Sequence, residues 1–132
     1  MERHFLQAGS LCRIYLLEDG GHCPAAEFLT EVAQAHENEF EKLQDLLDYA
    51  SDHGPPRNKQ KCRSLGDGLF EFKTGGGLRL FWFWDHGHLI LCTHGFVKKT
   101  RKTPRKERDL ALGWKKRYEA SRDAGRLKSF DD

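Results

Sequence analysis

Residues 69–97, LFEFKTGGGLRLFWFWDHGHLILCTHGFV, decide the fold. From Leu69 to Lys73 apolar and charged side chains alternate, with Phe70 and Phe72 on one face and Glu71 and Lys73 on the other. That period of two belongs to a strand with one buried side. Thr74-Gly75-Gly76-Gly77 breaks the pattern, and Leu78–Trp84 then concentrates the branched and aromatic residues that pack well on a pleated surface. Asp85-His86-Gly87 makes a second turn, and residues 88–97 read as a third strand. Three strands joined by such short turns predict an antiparallel meander.

Working outward, Leu11 to Leu17 (LCRIYLL) reads as an upstream strand, closed by Glu18-Asp19-Gly20-Gly21. Pro24 stands where a helix would start, and Phe28, Leu29, Val32 and Ala33 follow at helical spacing. Asn38 and Glu41 form a plausible capping pair for a second helix, whose stripe is Phe40, Leu43, Leu46, Leu47 and Ala50. Asp52-His53-Gly54-Pro55 stops it. A short join between two helices predicts a helical hairpin. Downstream, Thr103 reads as an N-cap with Pro104 at the first helical position, and Glu107, Leu110, Ala111, Trp114 and Tyr118 line one stripe. The expected class is α+β in the order β-α-α-β-β-β-α. Residues 1–120 are expected to form one domain, and the polar residues 121–132 a frayed tail.

The chain has 132 residues, enough for one core, and 38% of them are apolar. No apolar run reaches the ~20 residues that cross a bilayer, and the opening Met1-Glu2-Arg3-His4-Phe5 is unlike a secretory signal. Cys12, Cys23, Cys62 and Cys92 form no CxxC pair and fit no zinc module, so reduced thiols in a cytoplasmic protein are expected. The formal charge of +2 is misleading, because residues 1–56 sum to −8 and residues 57–132 to +10. A basic half of that size either attracts phosphates or makes a solvated face opposite the acidic one.

The glycines at 75–77 lack the GK[ST] ending of a nucleotide loop and precede no helix, so they read as a hairpin turn. His86, His88, Cys92 and His94 invite a metal reading, since 88, 92 and 94 share one face of a regular strand, but no further ligand completes the set. No metal or cofactor is called for. Arg79 is flanked by Leu78, Leu80, Phe81 and Trp82, where a charge is costly unless paired or opened to a cleft. Pairing with Glu71 and gripping a phosphate are both open to it, and they are compatible. Lys98-Lys99-Thr100-Arg101-Lys102 runs into a helix N-terminus, either as a solvated loop or as a phosphate-binding one. RNA carries its own nucleophile in the 2′-OH, so cleaving it asks the protein for a base, an acid and cations around the phosphate. Arg79, Lys98 and Lys99 could supply charge, and Glu71 and His94 proton transfer.

The stretch LFEFKTGGGLRLFWFWDHGHLILCTHGFVKKTRKTPRKERDLAL resembles the HigB-like branch of the RelE/ParE toxin superfamily, often carried by phages. The match lies in the strand "L-[FW]-E-[FL]-[KR]", the Gly-rich turn before "[YL]-R", and "HGFVKKT.KTP" leading into a basic helix, over about residues 65–119. The resemblance implies a toxin of a type II toxin–antitoxin module that acts as a ribosome-dependent mRNA endonuclease without metal. Its implied partners are the ribosome, mRNA and a neutralising antitoxin, typically a helix-turn-helix protein. By motif, Arg79 matches the arginine after the turn, Lys98 and Lys99 the basic residues after the last strand, and Glu71 and Lys73 the strand positions facing the cleft. Lys59, Lys61, Arg101 and Lys102 are candidate RNA-binding residues beside them. The tyrosine or histidine that some members carry near the C-terminus has no match, since Arg105 and Lys106 stand there. A different class stays open: a non-catalytic binder, such as a ParE-like gyrase inhibitor or an RNA-docking phage protein.

Overall fold

The structure, a computed structural model, describes residues 1–100 and 102–131. Its elements are β1 (Glu2–Ala8), β2 (Arg13–Glu18), α1 (Pro24–Ala35), α2 (Glu37–His53), β3 (Cys62–Gly66), β4 (Leu69–Lys73), β5 (Leu78–Asp85), β6 (Leu89–Val97), α3 (Arg105–Asp123) and β7 (Lys128–Phe130). The strands form one sheet in the order β3-β4-β5-β6-β2-β1-β7. β4, β5 and β6 make the expected antiparallel meander. β2 joins it parallel to β6, which the long connection through α1, α2 and β3–β5 allows. The class is α+β, and the expected order is present within it, with β1, β3 and β7 added.

Alternation along the strands sends side chains to two different cores. Ile14, Leu80, Trp82, Ile90 and Cys92 point to one face and pack with Phe28, Val32, Leu43 and Leu47 of α1 and α2. Tyr15, Leu17, Phe81, Phe83 and Leu91 point to the other and pack with Ala111, Trp114 and Tyr118 of α3. Trp82, Phe81 and Phe83 are fully buried. Complete burial of such side chains stabilises by roughly 1.5–3 kcal/mol each, which is why this meander is the centre of the molecule.

Each departure from the sequence expectation has a local cause. The added strands are short or polar: β1 (ERHFLQA) has an irregular register between Phe5 and Gln7, and β7 is only three exposed residues. The tail expected to fray instead continues α3 to Asp123 and then pairs β7 parallel to β1. Polar contacts hold it: Arg3 Nε donates to Ser129 Oγ at 2.9 Å, the Tyr15 hydroxyl donates to Asp131 at 2.7 Å, and Phe130 stacks on His4. Asn38 does not cap α2, because α2 starts at Glu37, one residue after the shared cap His36, and Asn38 already lies inside its first turn. Thr103 does not cap α3 either; Pro104 holds the cap position, and the Thr103 hydroxyl turns to Glu71.

One irregularity shapes the site. The β5–β6 register shifts so that Phe81 faces His94 while Trp82 faces Cys92, a bulge at Thr93. Cys92 therefore points to the α1–α2 core and His94 to the α3 side, so the common face expected for 88, 92 and 94 does not exist. Beyond the bulge, Gly95 lies under the Phe28 ring, where an added Cβ would come within 2.2 Å of the ring. Gly95→Ala should cost about 1–3 kcal/mol in urea-induced unfolding, and Phe28→Leu in the same chain should recover part of that loss.

Candidate functional site

At the β3–β4–β5 end of the sheet, the α3-side face carries charge instead of apolar side chains. Register places Arg63 opposite Glu71 and, one step along, Lys73 opposite Arg79. Glu71 has no exposed surface. Arg63 donates to its Oε2 from Nε at 3.1 Å and from Nη2 at 2.7 Å, and the Thr103 hydroxyl lies 3.3 Å from the same oxygen. Arg79 Nε faces the other oxygen, Oε1, at 3.4 Å as an ion pair, and among the described residues neither of these two buried atoms has a hydrogen bond of its own. Arg79 Nη1 donates to the carbonyls of Thr74 at 3.0 Å and Leu78 at 2.9 Å. The guanidinium is thus fixed by a carboxylate and by the turn that precedes it.

That turn is built for close approach. Gly77 has φ +102°, and a Cβ there would lie 2.7 Å from the Lys98 carbonyl oxygen. Lys98 N donates back to Gly77 O at 2.7 Å, which binds the segment after β6 to the β4–β5 turn. From α2, Glu39 accepts from the Gly76 N–H at 2.5 Å, so the acidic hairpin secures the glycines as well. Gly75, Gly76, Gly77, Arg79, Lys98, Lys99 and Thr100 line an open pocket of about 500 Å³.

Arg63, Lys73, Arg79 and Lys98 surround one carboxylate, a local excess of positive charge. Burial, and the charge of Arg63 among its neighbours, hold Arg79 below the ordinary guanidinium range despite Glu71. Lys73 is lowered by burial and by Arg63 and Arg79, and Lys98 by burial and by Arg79. A phosphate in this pocket would relieve the repulsion, and a guanidinium beside two ammonium groups suits its oxygens.

Of the residues proposed from the sequence, Arg79, Lys98 and Lys99 meet in the pocket, and Glu71 and Lys73 adjoin it through Arg79. His94 lies elsewhere, in a groove of about 830 Å³ between α1 and α3. Its Nε2 is 2.8 Å from Glu107 and its Nδ1 3.1 Å from the Thr93 hydroxyl. Lys59 is connected to the cluster by its carbonyl, which accepts from Lys73 Nζ at 3.2 Å. Lys61 lines a separate pocket with Lys73 and Thr74. Lys102 is exposed, with its carbonyl accepting from the Thr100 hydroxyl. Arg101 lies outside the described residues. Arg63 and Thr103 were not singled out, yet both hold Glu71. The signal for Arg63 is its place in a short edge strand that propensity alone does not reveal, and Thr103 looks like an ordinary cap.

A family model described as Phage derived protein Gp49-like (DUF891) matches residues 28–118. The matched span includes Arg63, Glu71, Lys73, Arg79 and Lys98. The chain belongs to this phage-derived family, which is a RelE/HigB-like toxin family. No curated protein matches the chain.

Two measurements check the electrostatics. Glu71→Gln leaves the buried Arg79 without its counter-charge and should cost about 3 kcal/mol in urea unfolding, more than any exposed carboxylate substitution. His94, almost fully buried, has its pKa lowered by burial in spite of Glu107. The unfolded chain therefore takes up a proton near the ordinary value of about 6.5 while the folded chain resists. Stability should be fully present above that pH and fall as pH drops below it, by at most about 1.4 kcal/mol per unit. His94→Gln should lose that part of the slope in unfolding curves recorded from pH 7.5 to 5.

Proposed function

We propose that this Gp49-like protein is the toxin of a type II toxin–antitoxin module that cuts translated mRNA on the ribosome. The observation that carries the reading is the pocket in which Arg79, Lys98 and Lys99 converge, with Arg79 oriented by a buried carboxylate. In this reading the scissile phosphate sits against the Arg79 fork and the two lysines. The RNA 2′-oxygen attacks phosphorus, its proton passes to a base, and the P–O5′ bond breaks as the leaving oxygen takes a proton. The products are a 2′,3′-cyclic phosphate and a 5′-OH.

Lys73 and Lys98 are assigned the proton transfers. Both adjoin Arg79, and both are lowered from the usual lysine range, which makes the neutral amine more accessible near neutral pH. Arg79 stabilises the charge that builds on the phosphorane oxygens. Glu71 is a positioning residue: with its oxygens facing Arg63, Arg79 and Thr103, it aims the guanidinium and is poorly placed to take a proton. His94, which lines the groove between α1 and α3 and is engaged by Glu107 and Thr93, is given no part in the chemistry. The basic half of the chain supplies the sequence-independent attraction to rRNA and mRNA phosphates. A cytoplasmic antitoxin, of helix-turn-helix type by the resemblance, is the proposed neutralising partner.

Induced expression should arrest growth, and primer extension should place cuts inside translated frames only while ribosomes are active. Arg79→Ala should relieve the arrest and lower cleavage by about 100-fold or more, and Arg79→Lys, which keeps the charge and loses the fork, should restore only part. A folded, well-expressed Arg79→Ala protein that still arrests growth would overturn the role of Arg79. Arrest without any mRNA cuts would favour a non-catalytic binder.

A further inference from the structure

A second pocket, of about 620 Å³, opens on the opposite face of the same sheet corner. Its floor is an aromatic ladder. Phe70 stacks on Trp82 at 4.6 Å, and Trp84 stands edge-on to Trp82 at 5.1 Å. Trp82 is fully buried, whereas Trp84 keeps 38% of its surface exposed. Pro55 and Pro56 from the turn after α2 form a wall, and Arg57, Lys59 and Arg63 join Cys62 and Ser64 in the lining, with no acidic residue among the described ones. A partly exposed tryptophan in a pocket whose charged lining residues are all cations is a good platform for a base whose flanking phosphates meet those cations.

The position favours the same strand of RNA that the first site would hold. β3 is the edge of the sheet, so the two faces meet across it without a further strand in the way. Arg63 belongs to both sites, since it lines this pocket and grips Glu71. Lys73, beside Arg79 in the register of β4 and β5, donates to the Lys59 carbonyl, joining the basic loop to the cation cluster around Glu71. A polyanion leaving Arg79 can therefore follow positive charge along residues 57–63 and over the edge.

We propose that Trp84, with Phe70 and the Arg57–Lys59 loop, forms a base-stacking subsite for single-stranded RNA, so that the strand wraps the β3 edge. This rests on the RNA reading above and adds a second contact to it. The subsite recognises any unpaired base, because every base presents a flat face, and its affinity comes jointly from stacking and from the basic rim.

The test is fluorescence anisotropy with a labelled eight-nucleotide 2′-O-methyl RNA, which cannot be cleaved, and with an abasic backbone of the same length. Trp84→Ala should weaken binding of the RNA about tenfold, Trp84→Phe should stay close to wild type, and wild type and Trp84→Ala should bind the abasic backbone equally. Wild-type affinity in a folded Trp84→Ala protein would overturn the subsite, as would the same loss on the abasic backbone. So would a dimer that Trp84→Ala dissociates, because the face would then be a protein interface. If Trp84→Ala binds normally while Arg79→Ala abolishes mRNA cleavage, the subsite fails and the nuclease stands. If the tenfold effect appears without any cleavage by wild type, the subsite stands and the nuclease fails.

Discussion

Glu71 has no exposed surface, and two guanidiniums and a hydroxyl converge on its carboxylate. Taking a carboxylate and Arg79 out of water costs several kcal/mol for each ion, and their attraction repays this only with good geometry. Here the repayment is incomplete, since Arg79 Nε and Glu71 Oε1 face each other at 3.4 Å without a hydrogen bond. In general, well-packed apolar residues of similar volume often cost a fold no more than a buried ion pair does. What the charged arrangement adds is direction. One carboxylate fixes Arg63 from β3, Arg79 from β5 and the Thr103 hydroxyl ahead of α3, so three segments distant in sequence are held in one orientation.

The same economy explains the turn. Arg79 Nη1 is held by the Thr74 and Leu78 carbonyls, which exist in that position because the glycines let the chain fold tightly and let Lys98 come close. Replacing Gly77 would strain the backbone and push Lys98 away. The glycine run that looks like a nucleotide loop therefore serves a different end: it allows the guanidinium, the turn and the post-β6 lysines to share one small volume.

Much of this was legible from the chain itself. Alternation at 69–73 and the β-rich run at 78–84 announced the meander, and the charge of Arg79 amid apolar neighbours announced a partner or a cleft. The structure has the Glu71 ion pair together with an open pocket. The three added strands were not legible, because β1, β3 and β7 draw their stability from neighbours and polar contacts, and their own residues carry little β signal. The common face expected for His88, Cys92 and His94 was misread for a subtler reason. Strand periodicity assumes a regular ladder, and a single-residue bulge at Thr93 reverses the face of everything beyond it. No composition or spacing rule marks that residue. The cap assignments at Asn38 and Thr103 failed in a related way, since the first lies inside a helix that starts earlier and the second has a better partner in Glu71.

The division of charge acquires a structural meaning as well. The acidic hairpin contributes Glu39 to the glycine turn, where it holds a backbone amide, and the described residues that line the pocket include no carboxylate. Had Glu39 or another acid entered the pocket, the cations would have been neutralised internally and an incoming phosphate would have gained little. Fixing the guanidinium with a buried acid while no acid stands among the described lining residues is what turns a modest net charge of +2 into a locally positive pocket.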